Sequence, residues 1–265
     1  MPLHHVEARP TSIDGVHAVT ARSARGFARH THDQFGIGLV EAGAQTSASG
    51  RGPVEVRAGD LITVNPGEVH DGHPVDDQGR VWRMIYLDPP VLTNLTGVST
   101  DFAFPALRSP GLATSFRRLF RAVGDASLRL VVEEELTTLR HALEDGARPA
   151  LRPAPVARAI QFLRDDPARP VTLAELSATA GLSRFHFLRS FAQATGLAPH
   201  AFRLQARLHL ARRLILAGQP LALVAAEAGF ADQSHLTRLF ARSYGMTPGS
   251  YARNFVQDRG GRLRG

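Results

Sequence analysis

One pattern occurs twice in the second half of this chain, and few folds can accommodate it. Thr195-Gly196-Leu197-Ala198-Pro199 recurs as Tyr244-Gly245-Met246-Thr247-Pro248, Phe202 as Tyr251 and Arg189 as Arg238, each at an offset of 49. Gly181-Leu182 recurs as Gly229-Phe230 at an offset of 48, with small Ser177 in the place of Ala225. The change by one predicts an extra residue in the turn of the second copy. Two copies do not make a solenoid, but they make a duplicated module.

Each copy reads as a helix-turn-helix. In the second, Ala225 and Gly229 lie four apart, predicting one face of a short helix that another helix approaches closely. Asp232 has the short side-chain oxygen that caps a following helix. Leu236, Leu239 and Phe240 form its inward stripe, leaving Gln233, Ser234, Thr237 and Arg238 outward, a set suited to hydrogen-bonding base edges. Gly245 ends that helix and Thr247-Pro248 begins another. In the first copy Thr172 with Glu175 forms a capping box, and Ser183 caps a helix with Phe187 and Phe191 inward. Its outward positions are Arg184, Phe185, His186, Leu188 and Arg189.

A long helix from about Pro199 to Ala217, closed by Gly218, joins the copies. About 19 residues give a rod of roughly 28 Å. Successive major grooves on one face of B-DNA lie roughly 34 Å apart, so such a rod lets one chain read two adjacent turns. Arg189 and Arg238 suit bidentate contact with guanine, and Phe185 suits a thymine methyl, with filling of the domain core as the alternative. His186 reads as a phosphate or packing residue. Arg207, Arg212 and Arg213 could contact phosphates or lie on a solvated face.

Charge follows the same division. All 31 basic residues are arginine, as the composition of a GC-rich genome would give. Residues 1–150 hold 15 arginines against 18 carboxylates, net −3, whereas residues 151–265 hold 16 against 6, net +10. The positive excess therefore lies with the duplicated module, as phosphate binding requires. The absence of cysteine excludes disulfides, zinc thiolates and a cysteine nucleophile. No apolar run suggests a signal peptide or a membrane span, so a cytoplasmic protein without membrane association is expected.

The first half reads differently. Gln34–Val40, Val54–Arg57, Leu61–Val64 and Val81–Leu87 are strand-like runs separated by turn signals such as Ala58-Gly59-Asp60 and Asn65-Pro66-Gly67. Many short strands at this spacing suggest a barrel or jelly roll. From Gly111 the periodicity turns helical, with Leu112, Phe116, Leu119, Phe120 and Val123 in one helix and Val132, Leu136, Leu139 and Leu143 in a second. That second, near-heptad stripe either packs on the barrel or makes a dimer. Three prolines in residues 146–155 predict an interdomain linker.

The C-terminal region, roughly 156–256, resembles the DNA-binding domain of the AraC/XylS family of bacterial transcription regulators. Ala225, Gly229, Phe230, Asp232, Ser234, His235, Arg238, Phe240, Gly245, Thr247, Pro248 and Tyr251 carry the match, which departs only in placing an arginine second, not first, after Tyr251. The resemblance implies sequence-specific binding of double-stranded promoter DNA and recruitment of RNA polymerase, usually in activation. The N-terminal half is similar to the cupin-type effector domain of many such regulators, through Arg29-His30-Thr31-His32, Gly59-Asp60-Leu61 and Asn65-Pro66-Gly67-Glu68-Val69-His70. These stretches also resemble metal-binding cupins, in which His30, His32 and His70 would be ligands. That pattern wants a glutamate four or five residues after the second histidine, where this chain has Gly36 and Ile37. The expectation is therefore an effector pocket lined by His30, His32 and His70, with Trp82 and Tyr86 beside them, and no catalytic residues, metal or cofactor. Structural histidines and core packing of Trp82, Met84 and Tyr86 are the plainer alternatives.

The expected fold is multidomain. An all-β cupin-like barrel with two following helices (1–145) leads through the linker (146–155) to an all-α domain (156–256). In that domain two helix-turn-helix subdomains are joined by a long helix, and a mobile tail (257–265) follows. The expected protein is a regulator sensing a small-molecule effector, homodimeric through the helices of 111–145. The alternatives are a metal-dependent cupin enzyme carrying a DNA-binding domain, and a nonspecific architectural DNA binder.

Overall fold

The computed structural model describes residues 4–97, 100–144 and 154–255. The chain divides into two compact units, Met1–Pro149 and Ala150–Gly265. The expected linker lies largely, and the expected tail wholly, outside the described residues. The second unit's first helix begins at Ala154, two residues earlier than expected, with Pro155 in its first turn, where a missing N–H costs nothing.

Among the described residues ten strands build the first unit: β1 (His4–Arg9), β2 (Val16–Ser23), β3 (Phe27–His30), β4 (Phe35–Ala42), β5 (Ala44–Ser49), β6 (Gly52–Arg57), β7 (Asp60–Val64), β8 (His70–Pro74), β9 (Arg80–Leu87) and β10 (Ala106–Arg108). They form two antiparallel sheets, ordered β1-β2-β9-β4-β7-β10 and β3-β8-β5-β6. The four runs legible in the sequence are β4, β6, β7 and β9. The six not anticipated include β5 (AQTSAS) and β8 (HDGHP), whose residues carry little strand propensity of their own. β5 is held by pairing with β6 on one side and β8 on the other.

Side chains alternate across the larger sheet, and the two faces do different work. Ile37, Leu39, Ile85, Leu87, Val16 and Ala18 point to one face. They are sealed there by α1 (Pro89–Thr96), α2 (Pro110–Ala122) and α3 (Arg129–Glu144) through Leu92, Phe116, Leu119, Phe120, Val132, Leu136, Leu139 and Leu143. The near-heptad stripe of α3 is thus spent inside the domain. The opposite face presents Trp82, Met84 and Tyr86 to the smaller sheet. Gly36 and Gly38 stand directly across from Tyr86 and Met84 and leave them room. A Cβ at Gly36 would lie 3.1 Å from Met84 Cε and 3.3 Å from Tyr86 Cε1.

The second unit is helical: α4 (Ala154–Asp165), α5 (Leu173–Thr179), α6 (Arg184–Thr195), α7 (Pro199–Leu216), α8 (Leu221–Glu227), α9 (Gln233–Tyr244) and α10 (Pro248–Phe255). The duplication is literal. Ser183 accepts from the His186 N–H and Asp232 from the His235 N–H, capping α6 and α9 alike. Gly196 (φ 74°) and Gly245 (φ 72°) close the two helices in the left-handed conformation. Phe191 meets Phe202 edge-on at 5.5 Å, and their counterparts Phe240 and Tyr251 meet edge-on at 5.4 Å. The extra residue in the second turn is present: Gly181 stands two residues before its cap, Gly229 three before its own.

One local expectation is corrected. Gly229 is not on the helical face with Ala225, because α8 ends at Glu227. It turns the chain at φ +77°, and a Cβ there would lie 3.0 Å from the Ala168 Cα and 3.1 Å from Arg207. Both the backbone angle and the close neighbour demand glycine.

Candidate functional site: two reading helices and a histidine cluster

α7 sets the relation between the two copies. It runs unbroken for 18 residues, a rod of about 27 Å. Leu208, Ala211 and Ile215 on it pack with Val224, Ala225, Leu236, Phe240 and Tyr251 of the second copy, while Phe202 anchors the first. Arg203 and Arg207 donate to the Pro167 and Ala168 carbonyls, tying the α4–α5 connection to the same rod. Arg207 is therefore engaged by internal carbonyls and Arg212 is buried at 3% exposure, which fits neither alternative offered for them, phosphate contact or a solvated face. Arg213 is exposed.

On α6, Phe187 and Phe191 are buried, whereas Arg184, Phe185, His186, Leu188 and Arg189 face outward. Phe185 is 70% exposed, which removes core filling as its explanation. His186 sits at the cap, its Nδ1 3.2 Å from the Ser183 hydroxyl. On α9, Gln233, Ser234 and Arg238 are exposed, and half-buried Thr237 donates its hydroxyl to the Gln233 carbonyl at 2.8 Å. Arg184, Arg189 and Arg238 engage no carboxylate among the described residues. Each helix thus offers an unneutralised guanidinium on an exposed face, the arrangement that base edges and phosphates recruit.

The first unit gathers the other expected residues between its sheets. His30 ends β3, His32 follows it, and His70 begins β8. Their ring centroids lie 5.0 Å (His30–His32), 4.4 Å (His30–His70) and 5.3 Å (His32–His70) apart, with Tyr86 4.9 Å from His32. Trp82 lies farther along, edge-on to Phe27 at 5.9 Å. The loop leading to His70 is tied to the sheet: Arg51 holds Glu68 with two bonds of 2.8 and 2.7 Å and also donates to the Thr63 carbonyl. Asn65 closes the other end, pairing with the backbone of Phe102 in both directions.

Sequence reasoning missed Arg80. It is 2% exposed, lies 4.6 Å over the Trp82 ring and 5.6 Å from Phe27, and donates to Gln45 and to the Ser23, Arg25 and Gly72 carbonyls. No carboxylate pairs with it among the described residues, and burial lowers its pKa to about 10, so it stays charged at neutral pH. A strand-initial arginine beside a glycine gives no sequence signal of burial.

Burial lowers the His70 pKa from 6.5 to about 4, with the Arg51 charge adding to the effect and the Glu68 carbonyl opposing it. The unfolded chain takes up this proton below pH 6.5, the folded one only near 4. The stabilising contribution is therefore complete above 6.5 and lost as pH falls towards 4. The urea midpoint of the first unit should drop between pH 7 and 4.5, and His70→Gln should flatten that dependence.

The comparisons with known proteins agree with this arrangement. Residues 16–143 match the AraC-like ligand binding domain, and residues 176–254 match a helix-turn-helix domain. An HTH-type transcriptional regulator of Bacillus subtilis, YbfI, is 30% identical over 231 residues, covering 79% of this chain and 81% of its own. The MmsAB operon regulatory protein of Pseudomonas aeruginosa is 25% identical over 95% of this chain and 85% of its own. Among solved structures, an apo ToxT variant from Vibrio cholerae shares the fold at 10% identity, with a TM-score of 0.60 over 94% of this chain and 100% of its own. Among the described residues no helix is long and apolar enough to cross a membrane. An effector-binding β domain followed by paired DNA-reading helices, in a chain with such relatives, establishes that this protein belongs to the AraC family of transcription regulators.

Proposed function

We propose that this regulator is an activator that reads two adjacent major grooves through α6 and α9. The observation that carries this is the unbroken α7, with an exposed, unneutralised arginine at the same position of each flanking reading helix. Arg189 and Arg238 serve as guanine readers, Phe185 as a thymine-methyl contact, and Arg184, His186, Leu188, Gln233, Ser234 and Thr237 complete the two faces. RNA polymerase is the partner recruited at the promoter, a reading that rests on the family alone.

The effector enters the first unit between its sheets, against His30, His32, His70, Trp82 and Tyr86. The support is their convergence in a barrel interior, and ToxT has been solved bound to an unsaturated fatty acid. A homodimer would form through α2 and α3 by their outward faces, such as Leu130, Glu134 and Thr138, since the inward stripe of α3 already serves the core. Hydroxyl-radical footprinting on the chain's own upstream region tests the DNA reading. The expected pattern is two protected stretches about one helical turn apart, roughly 10 base pairs, for each bound chain. Uniform protection, equal on random duplex at fixed salt, would instead describe a nonspecific architectural binder.

A further inference from the structure

We propose that residues 100–105 form a strap that couples the 65–69 connection, between β7 and β8, to the last turn of α3. The strap lies between α1 and β10 in the chain and is bonded on both sides. On one side, Asn65 donates its side-chain amide to the Phe102 carbonyl at 3.0 Å and accepts from the Phe102 N–H at 2.8 Å. Thr63 donates its hydroxyl to the Phe104 carbonyl and its N–H to the Pro105 carbonyl. On the other side, the Ala103 N–H donates at 2.8 Å to the Leu143 carbonyl, one of the last in α3 and without a partner inside the helix. Arg140, one turn earlier, donates to the Thr100 carbonyl and hydroxyl.

The two joints differ in firmness. Arg51 engages all its N–H groups: with both oxygens of Glu68, with the carbonyl and hydroxyl of Thr63, and with the Phe102 carbonyl at 3.2 Å. One guanidinium thus fastens the 65–69 connection, β7 and the strap to one another. Glu68 also accepts from the Asn65 N–H at 3.0 Å, which closes the connection on itself. Arg140 is more deeply buried, at 1% exposure, yet its Nε and Nη1 have no hydrogen-bond partner among the described residues. Its guanidinium carbon lies 5.0 Å from the Phe102 ring and 5.8 Å from the Phe35 ring, with Glu144 3.0 Å from Nη2. Buried donors left unused are costly, so an arrangement that pairs them competes with this one.

The strap should therefore move with the 65–69 connection and slip against α3. The connection is also tied to the stretch after β3: the Gly67 N–H donates to the His32 carbonyl at 2.6 Å, and His70 follows in β8. A displacement there is carried by the strap to the joint at Arg140 and Leu143. α3 is the last helix of the first unit among the described residues, so beyond its end the chain continues towards the DNA-reading unit. That use as a signal rests on the proposed sensory role of the interior, while the coupling itself does not. Coupling between two joints is reciprocal: what loosens one loosens the other.

Amide hydrogen exchange on the full-length protein, resolved residue by residue, tests the strap. Glu68→Gln keeps the side chain's shape and removes the charge that holds Arg51. It should speed exchange at Phe102 and Ala103, and in α3 from Leu139 to Leu143, by roughly 5-fold or more. Arg140→Met, checked for native circular dichroism, should in return speed exchange at Gly67 and Glu68 by a similar factor. Thr100→Val, at an exposed residue, removes only one acceptor of Arg140 and should give the same pattern at smaller amplitude. Amides of α2 around Phe116, which takes no part in either joint, should be unchanged throughout. Effects of Glu68→Gln that stop at residue 70, or effects of both other variants that stay within the strap and α3, overturn the coupling. Equal acceleration in α2 overturns it too, since general loosening needs no directed link. Reciprocal exchange effects with unchanged operator affinity support the strap and count against its use in signalling alone.

Discussion

Replacing Arg189 and Arg238 together by alanine is expected to weaken binding to the operator by roughly 2–6 kcal/mol, whereas each single change should cost about 1–3 kcal/mol. The two positions lie on different helices, α6 and α9, and on the proposed reading they would reach different base pairs, so their losses should add. The same rigid α7 carries both, so the second head binds with its translational freedom already surrendered. Each single variant should also tolerate substitution at the base pair it reads while discriminating normally elsewhere. Quantitative mobility-shift titrations at one salt concentration, on the operator and on single-site mutants of it, measure both effects. Arginines acting only as phosphate clamps would weaken operator and random DNA by the same factor and leave the base preferences intact.

Phe240→Ala is expected to destabilise the DNA-binding unit by about 3–5 kcal/mol, enough to unfold the second helix-turn-helix in a marginally stable domain. Phe240 has no exposed surface, lies tilted against Tyr244 at 4.4 Å and meets Tyr251 edge-on at 5.4 Å, so its removal leaves a cavity lined by rings that cannot collapse far. The readout is a lower unfolding midpoint together with a footprint reduced to one protected groove, because Phe191 and Phe202 hold the first copy by their own contact. Leu223→Ala, an exposed position on α8 at 46% exposure, should shift the midpoint by no more than about 0.5 kcal/mol. A Phe240→Ala protein with an unchanged midpoint would mean that the second copy is held by something other than its aromatic core.

The second unit was legible because its signals are local. Caps at Thr172, Ser183 and Asp232 act within one helical turn, and Gly196 and Gly245 act on their own backbone angle. The inward Phe187, Phe191, Leu236 and Phe240 follow from helical period alone. The exceptions were contacts made over distance. Arg207 and Arg212 looked like surface cations, and only the packing of α7 showed one bound to the α4–α5 connection and the other buried. Gly229 looked like a small residue for helix packing, but it is where the chain reverses against Ala168.

The sequence alone determined the duplicated helix-turn-helix, the rod between its copies and which residues α6 and α9 expose, because each depends on residues a few positions apart. It also named the three histidines, though not their relation. Only the tertiary structure decided that His30 and His32, from one side of a loop, meet His70 from 38 residues farther on. Tertiary packing alone also buried a charged Arg80 over the Trp82 ring and turned the α3 stripe inward to the sheet. Strand pairing is set by partners distant in the chain, and polar strands such as β5 and β8 gain their order from those partners. A one-dimensional pattern holds no record of which strands will meet.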